Sequence, residues 1–146
     1  MIGALIVKGK VASAFEALNR RDLDAFLKDW RRDASKVFPG DVSGSGEISG
    51  MDAIQVWYQR FFAQFPELRF AVKHIGVERI WAVTGNNVAT AVWDIDLTNA
   101  AGERFQNSGV TVVTVRGGRV TRVVDYIFDT GDAFRRAWGS GAAGEG

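Results

Sequence analysis

The residues of this sequence best suited to chemistry are two carboxylates set in apolar, alternating segments. Asp94 lies in 87–98, where Trp93, Ile95 and Leu97 alternate with Thr90, Val92, Asp94 and Asp96. Asp125 lies in 119–129, within the run Val124-Asp125-Tyr126-Ile127-Phe128-Asp129. Two carboxyls sharing an apolar pocket do not ionise alike. Desolvation and mutual repulsion raise one pKa, leaving a neutral acid beside an anionic base. That division suits proton transfer. In the other arrangement open to these residues, Asp94 and Asp96 are solvated at a rim and Asp125 pairs with an arginine.

Two hairpins decide between these arrangements. If 99–102 is a four-residue loop, Asp94 stands opposite Asn107 and Val92 opposite Gly109. Asn107, Gly109, Thr111 and Val113 then share the face of Asp94, which supplies the partner that a buried Asn107 amide requires. In the second hairpin, a two-residue Gly117-Gly118 turn sets Asp125 opposite Val110, on the other face. A three-residue loop with Gly118 left-handed sets it opposite Gly109, on the same face. The two acids would then flank Gly109, roughly 10 Å apart at two inter-strand spacings, with room for a water or a substrate oxygen between them. Pattern alone leaves both registers open.

Other chemistry has fewer residues to work with. His74 is the only histidine; it shares a face with Phe70 and Val72 and is either a packed or partly exposed strand residue or a ligand contact. No nucleophile-elbow motif is present, and no ligand spacing surrounds His74 to suggest a metal. Tyr58 can donate a hydrogen bond from a helix. With no cysteine, disulfides, thiol catalysis and thiolate metal sites are excluded. The glycines of 39–50 do not match the dinucleotide fingerprint. No metal and no cofactor are expected.

The elements that must position these residues begin with helices. Val11, Ala14, Phe15 and Leu18 share a helical face. Asp22 can cap a second helix carrying Leu23, Phe26, Leu27 and Trp30. The segment 39–50, rich in glycine and serine, reads as a flexible loop. Ser49 starts a third helix, with Asp52 as a capping partner, and Pro66 ends it. Its stripe of Ile54, Trp57, Tyr58, Phe61, Phe62 and Phe65 either packs as core or walls an apolar cavity. From Leu68 the period changes to two, giving strands over 68–83, 87–98, 104–116 and 119–129, the first broken near Gly76. A short helical turn spans 132–138, and 139–146 reads as a disordered tail. Helices followed by an antiparallel meander make an α+β fold with one domain over 1–138.

Composition narrows the partners. A net charge of +1 gives no field to recruit nucleic acid. The apolar run at the N-terminus is too short for a membrane span and has no basic residue before it, so a soluble cytoplasmic protein with no membrane partner is expected.

The order of these segments resembles the cone-shaped α+β superfamily of ketosteroid isomerase, the SnoaL-like polyketide cyclases, limonene-epoxide hydrolase and nuclear transport factor 2. Three segments carry the resemblance: Asn19-Arg20-Arg21-Asp22-Leu23-Asp24, Phe61-Phe62-Ala63-Gln64-Phe65-Pro66-Glu67-Leu68, and Val124-Asp125-Tyr126-Ile127-Phe128-Asp129. It implies a curved antiparallel sheet wrapped around the N-terminal helices, an interior pocket, and a homodimer formed through the sheet. It also implies that Asp125 faces the pocket, which requires the bulged register.

In the epoxide hydrolases a final-strand Asp works with a second Asp two strands away; Asp125 and Asp94 match them. Val92 stands where that family has a bridging arginine, and Lys36 and Phe38 stand where it has water-holding residues. In SnoaL-like cyclases the final-strand Asp, matched by Asp125, transfers the proton. The resemblance therefore implies an acid–base enzyme for a small apolar organic substrate, performing cyclisation, isomerisation or hydrolysis. Asp125 and Asp94 would be catalytic, with Asn107, Tyr58, Trp30, Phe61, Phe65 and His74 around the substrate. An epoxide-hydrolase-like enzyme with an altered site, and a non-catalytic binding or dimeric interaction module, are the alternatives.

Overall fold

The alternation that begins near Leu68 becomes four successive antiparallel strands in the computed structural model, which describes residues 2–80 and 84–139. They are β3 (Glu67–Val77), β4 (Asn87–Thr98), β5 (Arg104–Arg116) and β6 (Arg119–Ile127). Two strands precede them, β1 (Trp30–Phe38) and β2 (Gly46–Ser49), and complete one curved, unclosed sheet in the order β2-β1-β6-β5-β4-β3. All neighbours are antiparallel except β1 and β6, which run parallel. Helices α1 (Ile2–Asn19), α2 (Leu23–Leu27), α3 (Met51–Gln64) and α4 (Asp132–Ala137) complete the α+β fold.

The turn between α1 and α2 shows why the segment 19–22 has its sequence. Arg21 adopts a left-handed φ of 61°. Its N–H bonds the Leu18 carbonyl and the Asp22 N–H reaches back to Ala17, a pattern that satisfies the last carbonyls of a helix. The Arg21 guanidinium then donates to the Phe62 and Phe65 carbonyls at the end of α3. Asn19 pairs through both amide atoms with the backbone of Phe70, and Asp22 caps α2 by accepting from the Ala25 N–H. Asn19, Arg21 and Asp22 thus lock α1, α2, α3 and β3 together.

Several local expectations are corrected. Trp30 does not continue α2; it opens β1. The segment 39–50 is not wholly a loop, because 46–49 pairs with β1. Ser49 closes β2, and the residue at the start of α3 is Gly50, at φ 90°, with no side-chain cap. β3 stops at Val77 rather than 83; residues 81–83, and 140–146 of the expected tail, lie outside the described residues.

The core fills the concave side of the sheet. Inward residues of β4 and β5 (Ala89, Ala91, Trp93, Ile95, Val113, Val115) join one core with Phe15 and Leu18 of α1, Ile54, Tyr58 and Phe61 of α3, and Phe65 just after it. Trp93 is therefore interior and 4% exposed. Among the described residues no helix is long and apolar enough to cross a membrane.

Candidate active site

The two hairpins have registers different from those the pattern suggested. Between β4 and β5 the loop is one residue longer, 99–103, because the Asn99 side chain accepts from the Ala101 and Glu103 N–H groups while its own N–H bonds the Glu103 carbonyl. Thr98 consequently pairs with Arg104, Asp94 with Ser108 and Trp93 with Gly109. Because side chains alternate between faces, Trp93, Asn107, Gly109 and Thr111 point inward and Asp94 points outward.

The second hairpin does use the two-residue turn, with Gly117 at φ 58° and Gly118 at φ 77°, which fits a turn with both central residues left-handed. A bulge lies farther along: Val115 pairs with Val120 but Thr114 with Arg122. The extra residue, Thr121, sets Asp125 opposite Thr111, on the inward face. The bulge that turns Asp125 into the pocket is thus in the strand, not the turn.

Asp94 and Asp125 accordingly lie on opposite sides of the sheet, and no shared carboxylate site exists. Asp94 is solvent-exposed, accepts a hydrogen bond from Ser108 Oγ at 2.6 Å and pairs with Lys73 at 3.5 Å. The Ser108 hydroxyl, with help from Lys73, lowers its pKa below the usual carboxylate value. This is opposite to the rise that an apolar carboxylate pair would give. His74 also leaves the pocket. A bulge at Lys73 interrupts the pairing between Val72 and His74, so His74 faces outward while Ile75 resumes the inward side.

The partner of Asp125 is a lysine. Lys36 Nζ lies 2.6 Å from Asp125 Oδ2, with the lysine side chain 2% and the aspartate 12% exposed. Lys36 belongs to β1, whose inward residues are Ala34, Lys36 and Phe38. The second carboxylate oxygen accepts from Thr111 Oγ1 at 2.7 Å, and that hydroxyl accepts from the Trp93 indole N–H at 2.9 Å. The Trp93 ring lies over Gly109, where an added Cβ would sit 2.7 Å from it. Gly109 therefore makes room for an indole rather than for a water.

Aromatic faces surround the ammonium: the ring centroids of Trp57, Tyr58 and Phe38 are 4.4, 4.9 and 5.7 Å from Lys36 Nζ. Burial alone would lower the lysine pKa, but the Asp125 carboxylate and, secondarily, the Tyr58 hydroxyl outweigh it and hold the value above the ordinary one. Burial pushes the Tyr58 phenol up in turn, so at neutral pH it is an un-ionised hydroxyl. The ion pair opens onto a cavity of about 1050 Å³. Its walls include Trp30, Tyr58, Phe61 and Phe65, together with Lys36, Thr111 and Asp125.

Asn107 lines the same cavity, facing Ile95 across the sheet rather than Asp94. Its amide is used locally: it donates to the Asp129 carbonyl and its oxygen accepts from the Asp129 N–H, tying down the chain after β6. Among the described residues no group of three or more histidine or carboxylate side chains could hold a metal ion.

The pocket therefore brings together Asp125, Tyr58, Trp30, Phe61, Phe65 and Asn107, and leaves out Asp94 and His74. Lys36 was missed as a functional residue. A strand signal was available, because Ala34, Lys36 and Phe38 alternate with Ser35 and Val37. The charged run Arg31-Arg32-Asp33 and the following Pro39 hid it.

Comparison with known proteins agrees with this architecture. The profile of the SnoaL-like domain matches residues 11–123. The fold is similar to that of Bal32a from a soil-derived mobile gene cassette, with TM-score 0.77, 18% identity and coverage of 93% of this chain and 98% of that one. An NTF2-like protein of unknown function from Burkholderia pseudomallei K96243 has TM-score 0.73 and 20% identity, covering 90% and 95%. TerC, co-crystallised with polyporic acid, has TM-score 0.72 and 19% identity, covering 90% and 96%. No curated protein is significantly similar to the chain.

Proposed function

The chain belongs to the SnoaL-like domain family, and we propose that it is an acid–base enzyme acting on a small, mostly apolar organic carbonyl compound. The observation that carries this reading is the buried Lys36–Asp125 pair opening into an aromatic cavity. Proton abstraction next to a carbonyl needs a base for the proton and a positive or hydrogen-bonding group for the oxygen, which becomes an anion. Asp125 supplies the base. Lys36 supplies the charge, at a place where little water screens it. The Thr111 hydroxyl fixes the carboxylate, and the Tyr58 hydroxyl adds a neutral donor beside the lysine. The ligand-bound neighbour TerC, crystallised with an organic acid, supports a cavity made for small organic molecules.

The reading includes a cytoplasmic homodimer formed through the sheet. Val92, Val110, Val112, Val124 and Tyr126 adjoin one another on the outward side by their strand pairing, and Tyr126 is 56% exposed. Light scattering in solution tests the dimer, and a monomer at all concentrations overturns it.

Solvent exchange tests the chemistry. With 2-tetralone in deuterium oxide, the protein should speed deuterium uptake next to the carbonyl. Asp125→Asn should lose about two or more powers of ten, the usual worth of a positioned base. Equal exchange by the wild type and Asp125→Asn would falsify the assignment.

A further inference from the structure

The chain has five lysines. Lys8, Lys10, Lys28 and Lys73 are exposed, whereas Lys36 is 2% exposed and points into the cavity against three aromatic rings. We propose that Lys36 also captures an apolar, conjugated aldehyde covalently, as a protonated imine with Asp125 as its counter-ion. This rests on the reading above only in that the cavity must admit a small organic carbonyl compound.

The step balances without any oxidant, reductant or further reactant. The Asp125 carboxylate accepts one proton from the ammonium, freeing the amine lone pair 2.6 Å away. That pair bonds to the carbonyl carbon while the C=O π electrons move to oxygen, which takes the proton from Asp125. Asp125 then removes a proton from nitrogen and passes it to the hydroxyl, which leaves as water as the nitrogen lone pair forms C=N. The products are one water and a positively charged imine beside an anionic Asp125.

Charge conservation makes this site suitable. An ammonium and a protonated imine each carry one positive charge on the same nitrogen, so the buried ion pair survives the reaction. A neutral adduct would leave a carboxylate buried without a partner, which is costly. The carboxylate that raises the Lys36 pKa likewise keeps the imine protonated. Trp57, Tyr58 and Phe38 offer π faces to a delocalised cation, which favours an aldehyde conjugated with an aromatic ring or polyene over a short aliphatic one.

The test uses the full chain with 4-dimethylaminocinnamaldehyde and sodium cyanoborohydride, followed by peptide mapping and absorbance spectra. The expected result is a reduced adduct on Lys36, preceded by a red-shifted band of the protonated imine. Lys36→Arg should lose both, and Asp125→Asn should lose the red-shifted band. Label on the exposed lysines with Lys36 unmodified would overturn the proposal. If such a protein still exchanges 2-tetralone protons, only the covalent step fails; if exchange is absent too, the acid–base reading fails with it.

Discussion

Lys36 Nζ and Asp125 Oδ2 are 2.6 Å apart although 89 positions separate the two residues in the chain. The contact is made possible by the parallel pairing of β1 with β6, which places Lys36 beside Val123 and Val37 beside Val124. The bulge at Thr121 then turns Asp125 onto the inward face that Lys36 occupies. Thr111 and Trp93 hold the carboxylate from the other side. A charged pair is thus kept inside an aromatic cavity by backbone register.

Breaking the pair from one side should cost more than removing it. Asp125→Ala leaves the Lys36 ammonium buried without a counter-charge, and a loss of about 3–5 kcal/mol is expected. Lys36→Met combined with Asp125→Leu should recover most of that loss, because no isolated charge remains. Urea unfolding of wild type, Asp125→Ala, the single variants Lys36→Met and Asp125→Leu, and their combination measures both, and losses of the two singles that simply add in the double variant would contradict a coupled pair.

Alkaline pH should weaken the fold through the same lysine. The Lys36 pKa is raised above 10.5, its ordinary value, so its contribution is complete below that pH. It falls as pH rises above 10.5 toward the folded value. The buried Tyr58 phenol, also raised, acts in the same direction. The stability difference between wild type and Lys36→Met should be constant from neutral pH to about 10 and shrink above it. A difference that grows on the alkaline side would refute the ion-pair account.

Thr111→Val removes the hydroxyl that donates to Asp125 and leaves the Trp93 indole N–H without an acceptor. An unsatisfied buried donor costs about 1–3 kcal/mol. Exchange of 2-tetralone should slow chiefly through its turnover rate, since the carboxylate is freed to rotate while the cavity keeps its volume. Loss of binding with unchanged turnover would show that Thr111 shapes the cavity instead.

Gly109→Ala would place a methyl 2.5 Å from the Tyr126 carbonyl oxygen and 2.7 Å from the Trp93 ring. The backbone contact cannot be relieved by a rotamer change. Destabilisation of about 1–3 kcal/mol follows from overpacking, with an altered tryptophan signal in near-ultraviolet circular dichroism. A variant as stable as wild type, with that signal unchanged, would contradict the close packing.

Asp94→Ala separates the present site from a paired-carboxylate site. Asp94 lies outside the cavity, on Ser108 and Lys73, so the substitution should leave 2-tetralone exchange unchanged. Exchange lowered as far as in Asp125→Asn would restore the carboxylate pair.

The strands around the site were legible because two-residue alternation is strong where one face is buried: 87–98 and 104–116 are the observed bounds of β4 and β5, and β6, which carries Asp125, starts at 119 as expected and ends at Ile127 rather than 129. The site was less legible because strand pairing has a parity. One extra residue in the loop after Thr98 sends Asp94 outward, and bulges at Lys73 and Thr121 reverse His74 and Asp125. Each depends on local backbone bonding that composition does not reveal, such as the two N–H groups held by the Asn99 side chain. The resemblance implied the inward side for Asp125, while the bulge lies at Thr121 and not at Gly118, where the hairpin pattern put it. β1 was hidden for another reason: its inward lysine breaks the apolar pattern, and the carboxylate that allows it to be buried is supplied from a strand far along the sequence.

Nitrogen-15 NMR of lysine side chains tests the central claim most directly. Surface ammonium groups exchange protons with water quickly, whereas a buried, hydrogen-bonded one is shielded. The account predicts one slowly exchanging ammonium signal at neutral pH that is lost in Lys36→Met, altered in Asp125→Asn, and shifted alone among the lysines when 2-tetralone is added. If no protected ammonium signal appears, or if it ignores both Asp125→Asn and the ketone, Lys36 and Asp125 are not a ligand-accessible ion pair and the proposed chemistry loses its base.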